Sequence, residues 1–167
     1  MKSFFILFLL VLILSGCSSK TDKEYLQTAE KNVKGNNISE AIESYQTLVD
    51  KYPQSELAPD ALYEMAALYQ NNLIKNLTKK ESLRKSVEIY RSVYDKYPKS
   101  KKAPMALFMS GFILANELNN YDEASKAYNL FLKEFPNHEL STSAREELKH
   151  LGLSPEEILK EKTSTKI

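Results

Sequence analysis

Ala41-Ile42-Glu43-Ser44-Tyr45-Gln46-Thr47-Leu48-Val49-Asp50-Lys51-Tyr52-Pro53 is one of three versions of the same frame in this chain. A small residue is followed by an aromatic four places on, an apolar residue at seven, an aromatic at eleven and proline at twelve. The frame returns as Ser86, Tyr90, Val93, Tyr97 and Pro98, and again as Ala124, Tyr128, Phe131, Phe135 and Pro136. Self-similarity of this kind is the mark of a repeat architecture, in which each unit is a supersecondary piece that buries its faces only by stacking on its neighbours.

Each frame has the period of a helix. Ile38, Ala41, Ile42, Tyr45, Leu48, Val49 and Tyr52 fall on one stripe, with no sustained alternation of period two, and Pro53 stops it. Upstream, Leu26, Ala29 and Val33 form a shorter stripe that Gly35-Asn36-Asn37 ends as a turn. Downstream, Ser55 is placed to cap a helix with Pro59 in its first turn and Ala58, Ala61, Leu62, Met65, Ala66 and Tyr69 on one face. Ser100, Ala103, Pro104, Ala106 and Leu107 repeat that opening, in a helix running through Gly111 towards Leu118. Its partner begins near Tyr121. The repeat prolines lie 98 − 53 = 45 and 136 − 98 = 38 residues apart. The surplus falls around residues 71–82, as a longer loop or an added helical turn.

After Pro136 the pattern narrows. Ser143 and Glu146 have capping-box spacing, Ala144, Leu148 and Leu151 form one thin stripe, and Gly152 ends it. This suits a capping helix, apolar towards the stack and polar outside. Ser154-Pro155-Glu156-Glu157 opens a further short helix, and 160–167 reads as a frayed polar tail. The expected fold is therefore all-α, a solenoid of about three helix-turn-helix repeats with a C-terminal cap over 23–152, then a short helix and tail over 153–167.

The first residues carry an address. One charge, Lys2, precedes eleven unbroken apolar residues, Phe4 to Leu14. At ~1.5 Å rise per residue these cover about half of a bilayer core, so 1–16 reads as a signal peptide rather than a span. Leu14-Ser15-Gly16-Cys17 resembles the bacterial lipoprotein box, whose cysteine is lipidated after cleavage just before it. Cys17 is the only cysteine in the chain, and a lone thiol in an oxidising compartment is a liability. Residues 17–22 then form a lipidated tether.

Cleavage there leaves 167 − 16 = 151 residues, with 22 basic and 22 acidic side chains. A neutral chain does not attract nucleic acid, and the resemblance implies membrane contact through the lipid alone. Ten tyrosines and seven phenylalanines at fixed helical spacing read as packing, with small Ala41, Ser86 and Ala124 where helices approach. The two histidines, His138 and His150, lack partners at metal-ligand spacing; the first falls in an inter-repeat turn and the second on the cap's polar side. No phosphate loop, nucleophile elbow or carboxylate pair appears. The chain does not read as an enzyme, and no cofactor is expected beyond the covalent lipid on Cys17.

The repeated residues resemble the tetratricopeptide repeat: Gly35-Asn36-Asn37-Ile38-Ser39-Glu40-Ala41 with Tyr45 and Pro53, and Tyr121-Asp122-Glu123-Ala124 with Tyr128 and Pro136. The ending in aromatic-proline is similar to the variant in bacterial envelope proteins, including the tetratricopeptide domain working with the Tol-Pal system in cell division and the tetratricopeptide lipoprotein of the β-barrel assembly machinery. The resemblance implies a lipid-anchored scaffold, at the outer membrane facing the periplasm, that binds another envelope protein or peptide. The alternatives are a subunit of a β-barrel assembly complex, a peptidoglycan-binding spacer, and a lipid-anchored small-ligand carrier or enzyme accessory. The binding surface falls on the first helix of each unit: Asp60, Tyr63, Glu64, Ala67 and Gln70, and in unit three Met105, Phe108, Met109, Phe112 and Asn116. A Met- and Phe-rich groove suits an apolar peptide or partner helix; the same residues equally suit packing against the chain's own terminal helices.

Overall fold

The computed structural model describes the backbone of residues 20–164. The expected leader, 1–16, and Cys17 lie outside the described residues. Within them the chain is helical: α1 (Asp22–Lys34), α2 (Ile38–Lys51), α3 (Ala58–Gln70), α4 (Lys79–Lys96), α5 (Lys102–Asn116), α6 (Tyr121–Glu134), α7 (Ser141–Lys149) and α8 (Pro155–Ser164). Three antiparallel hairpins, α1/α2, α3/α4 and α5/α6, stack in order, and α7 lies on α6. The main contacts run between successive helices, with α3 against α5 as the one substantial step over a neighbour among the described residues. This is an α-solenoid, and none of its described helices is long and apolar enough to cross a membrane.

The repeated frame is the core. Ala41, Ser86 and Ala124 are fully buried at the close approaches, and Tyr45, Tyr90 and Tyr128 fill the space beside them, with Leu48, Val93 and Phe131 one turn on. Burial of each such ring contributes about 1.5–3 kcal/mol. Ser86 carries a hydroxyl where the other units have alanine, and it donates to the Ala66 carbonyl at 2.8 Å. The same device recurs one turn earlier, where buried Ser82 donates to the Tyr69 carbonyl at 2.6 Å.

The inter-repeat turn repeats the same backbone geometry three times. Tyr52, Tyr97 and Phe135 end their helices with φ of −128°, −133° and −129°. The N–H groups of Ser55, Ser100 and His138, two places after each proline, donate back to those carbonyls at 2.9, 2.9 and 3.1 Å. Their side chains then accept from the start of the next helix: Ser55 Oγ from Leu57 N–H, Ser100 Oγ from Ala103 N–H, and His138 Nδ1 from Leu140 N–H. Thus His138 does a serine's work in the third turn, and Ser55 does not cap α3 directly: Leu57 holds the N-cap position and Ser55 braces the turn before it.

This register also revises the cap. α7 begins at Ser141, five places after Pro136, as α3 begins five after Pro53. Ser143 therefore sits inside the first turn, and the Ser143–Glu146 capping box does not form. α7 takes the place of a first helix in a fourth unit, and among the described residues α8 follows it without packing on it as α2, α4 and α6 pack on their partners. His150 ends α7 with its side chain only 14% exposed and its Nδ1 4.0 Å from Glu146, so it faces inward rather than into water. α8 does carry the expected capping box, Ser154 with Glu157, and its backbone continues to Ser164, so helix replaces much of the expected frayed tail.

The turn inside each hairpin uses a left-handed residue, and it is asparagine each time: Asn36, Asn72 and Asn119, with φ of 59°, 53° and 50°. Gly35, the glycine next to the first of these, keeps an ordinary negative φ. In unit two both readings of the surplus hold. The loop spans 71–78, and α4 has 18 residues against 14 in α2 and α6. A Thr78–Glu81 capping box starts the longer helix.

At the other end, the chain is pinned as it enters. The Tyr52 hydroxyl donates to the Lys20 carbonyl at 2.7 Å, and Ser55 Oγ donates to Asp22 at 2.6 Å. The latter bond holds the Asp22 carboxyl below its usual range. Residue 20 is therefore fastened to the first inter-repeat turn.

Candidate functional site

The first helices of the units, α1, α3, α5 and α7, line the inner face, and two halves of it differ in chemistry. Between α1 and α3 lies an open cleft of about 580 Å³ whose lining includes Glu30, Tyr45, Asp60, Glu64 and Lys102. Lys102, at the start of α5, reaches back to Asp60 and Glu64 at 3.8 and 3.7 Å and sits 4.4 Å over the Tyr63 ring. Tyr63 meets Tyr90 edge-on with centroids 5.1 Å apart. The Tyr90 hydroxyl donates to Gln70 Oε1 at 3.1 Å.

The expected site residues of α3 are thus brought together. Tyr63 and Gln70 are half-buried with Tyr90 between them, and Glu64 is exposed beside Tyr45. Burial, then the charges of Glu64 and Glu30, push the Tyr45 phenol up to about 12. Burial also raises Tyr63, again with Glu64 adding to it.

In the α5 half, the five expected residues separate. Phe108 is partly buried and packs against the core: its ring lies 5.6 Å from Tyr128 and 5.8 Å from Phe131. Met109 also packs on the core, whereas Met105 and Phe112 are partly exposed and stand apart from it among the described residues. Asn116 is exposed and donates to Glu147 of α7 at 3.2 Å. The repeat register pairs Gln70 with buried Ala115 rather than with Asn116, because Ala58 corresponds to Ala103.

α7 meets this groove through Glu147. Met105 and Phe112 are partly exposed. The α8 residue Ile158 lines a separate cleft of about 350 Å³ with Asn119, Tyr121 and Leu151.

Three participants escape a sequence reading. Glu147 accepts from the Tyr128 hydroxyl at 3.4 Å as well as from Asn116, and desolvation with this carboxylate raises the Tyr128 phenol strongly. Glu64, Met109 and Glu147 each lie eleven places after a repeat proline, so the register could have found Glu147. Glu30 had the helical stripe of α1 as its only signal. Lys102 had none, since its role depends on an α3–α5 contact.

The inner face therefore offers phenols, carboxylates and two lysines, Lys34 and Lys102, on one half, and thioether and phenyl surface on the other. This chemistry suits holding a chain segment with polar and apolar side chains. Among the described residues no group of three or more potential ligands is placed to hold a metal ion.

Compared with known proteins, residues 25–55 and 105–138 match the family described as tetratricopeptide repeat. No curated protein matches the chain. These two segments are thus similar to tetratricopeptide repeats and the fold is a tetratricopeptide-like α-solenoid; scaffolds of that kind typically bind other proteins or peptides and are typically non-enzymatic.

Proposed function

We propose that the chain is a bacterial envelope lipoprotein, anchored through lipid on Cys17, whose inner face holds a segment of another envelope protein. The observation that carries the binding half is the pair Met105 and Phe112, partly exposed on α5, the helix that contacts α3 with its polar Asp60, Tyr63 and Glu64. Two large apolar side chains that stand apart from a core against which their neighbours Phe108 and Met109 pack are surface suited to a partner. The anchoring half rests on Leu14-Ser15-Gly16-Cys17 and on the single cysteine. Several acyl chains anchor stably where one does not. The setting is the one that both resemblances share, the periplasmic face of an envelope membrane, in cell division or envelope assembly.

The test is photocrosslinking in intact cells from a reactive residue at Phe112 and, as control, at Glu88 on the outer face of α4. A discrete adduct from Phe112 alone is the expected result. The same adducts from both positions, or none from Phe112, would refute the binding half. Cys17→Ala tests the anchor separately: a variant that still fractionates with membranes refutes it.

A further inference from the structure

The helices alternate in direction, so the entry of α1 and all three inter-repeat turns lie on one edge of the solenoid. The bonds from Tyr52 to Lys20 and from Ser55 to Asp22 fix the entering chain to that edge. Cys17 stands three positions before Lys20, and three residues reach at most about 10 Å. If Cys17 carries the lipid, as proposed above and on which this inference rests, that edge is held about a Debye length from the bilayer surface.

The second inter-repeat turn on the same edge is Lys96-Tyr97-Pro98-Lys99-Ser100-Lys101-Lys102. Lys102 is occupied by Asp60 and Glu64. Lys96, Lys99 and Lys101 are exposed, and no ion pair holds them among the described residues. With the first turn they line a cleft of about 730 Å³, whose opposite wall carries Glu56 and Asp60, the latter already paired with Lys102. The chain is neutral overall, yet this edge offers three free cations beside the tether. The opposite edge is basic too, through Lys75, Lys80 and Arg84, but nothing fastens it to the anchor.

We infer that the inter-repeat edge lies against an anionic phospholipid surface, with Lys96, Lys99 and Lys101 as its headgroup contacts. The lipid holds the protein at the membrane and the lysines set its attitude. The solenoid then stands on this edge and presents the ends of its inner face sideways along the membrane. Each lysine near such a surface strengthens the contact by about fivefold.

The experiment uses the lipidated protein in vesicles of phosphatidylcholine with or without phosphatidylglycerol. A fluorophore is placed at Gln54→Cys on the tethered edge or Asn76→Cys on the far edge, and quenching by a headgroup-borne quencher is measured. The expected result on anionic vesicles is several-fold stronger quenching at position 54 than at 76. Lys96→Gln, Lys99→Gln and Lys101→Gln together should remove that difference while the protein stays bound, and Lys75→Gln, Lys80→Gln and Arg84→Gln together should leave it intact. Equal quenching at both positions on a bound protein, or indifference to phosphatidylglycerol and to the first triple variant, overturns the inference alone. Failure of the protein with intact Cys17 to join vesicles overturns the anchoring reading, and this one with it.

Discussion

Gly111 of α5 leaves room for the ring of Tyr128 on α6: a Cβ at Gly111 would stand 3.0 Å from Cδ1 and Cε1 of that ring and 3.2 Å from Cζ. The ring is fully buried and cannot withdraw. Gly111→Ala gains about 1 kcal/mol of helix propensity, but overpacking a fixed core costs about 1–3 kcal/mol. A net loss of roughly 1 kcal/mol is expected in chemical denaturation. A more stable variant would mean that the α5–α6 contact has slack.

The buried repeat tyrosines make the fold sensitive to alkali. Burial raises the phenols of Tyr45, Tyr90 and Tyr128, the first to about 12 from 10.0. A raised folded pKa means that the folded state holds its proton more tightly than the unfolded one. The stabilisation is therefore complete below about pH 10 and is lost as pH rises through the folded value, with a slope of about 1.4 kcal/mol per pH unit for each tyrosine. Unfolding free energy should fall steeply above pH 10. Tyr45→Phe should make that fall shallower, and an unchanged slope would show that Tyr45 ionises freely in the fold.

Phe108 and Phe112 lie one turn apart and should behave oppositely. Phe108→Ala removes a ring packed between Tyr128 and Phe131 and should cost about 3–5 kcal/mol. Phe112→Ser removes a partly exposed ring, so stability should shift by less than about 1 kcal/mol while the crosslinked partner is lost. Thermal melts of the two variants decide it. A large loss of stability in Phe112→Ser would place that ring in the core.

The left-handed asparagines give a signed pair. Asn72 holds φ of 53°, a region that glycine enters without strain and branched residues resist. Asn72→Gly should be neutral or stabilising by up to about 1 kcal/mol, and Asn72→Val should destabilise by about 1–2 kcal/mol. Equal melting temperatures would show that the 71–78 loop sets no conformational demand there.

What the sequence made legible was whatever one helix decides alone. The stripe of Ala41, Tyr45 and Leu48, the stop at Pro53 and the capping box at Ser154 are local, and each forms as read. Features set between helices were not legible. Ser143 has box spacing, but the turn after Pro136 starts α7 at Ser141, so tertiary register prevails over the local motif. Periodicity placed Phe108 and Phe112 on one face, and only the approach of Tyr128 divides them. Lys102 joins the candidate site by crossing from α5 to α3, a contact that no spacing along the chain encodes.

The solenoid's two ends never meet, since the main contacts link each helix to the next. Its thermal behaviour should therefore be that of a zipper frayed from its tips. Among the described residues α8 does not pack on α7 as α2 packs on α1, whereas α1 is buttoned to the next unit through Tyr52 and Ser55. Opening should begin at the carboxyl tip, and the amides of α3, α4 and α5 should exchange last. The face that carries Tyr63 and Phe112 belongs to that slowest-opening stretch, so a bound partner would grip the part of the molecule that yields last.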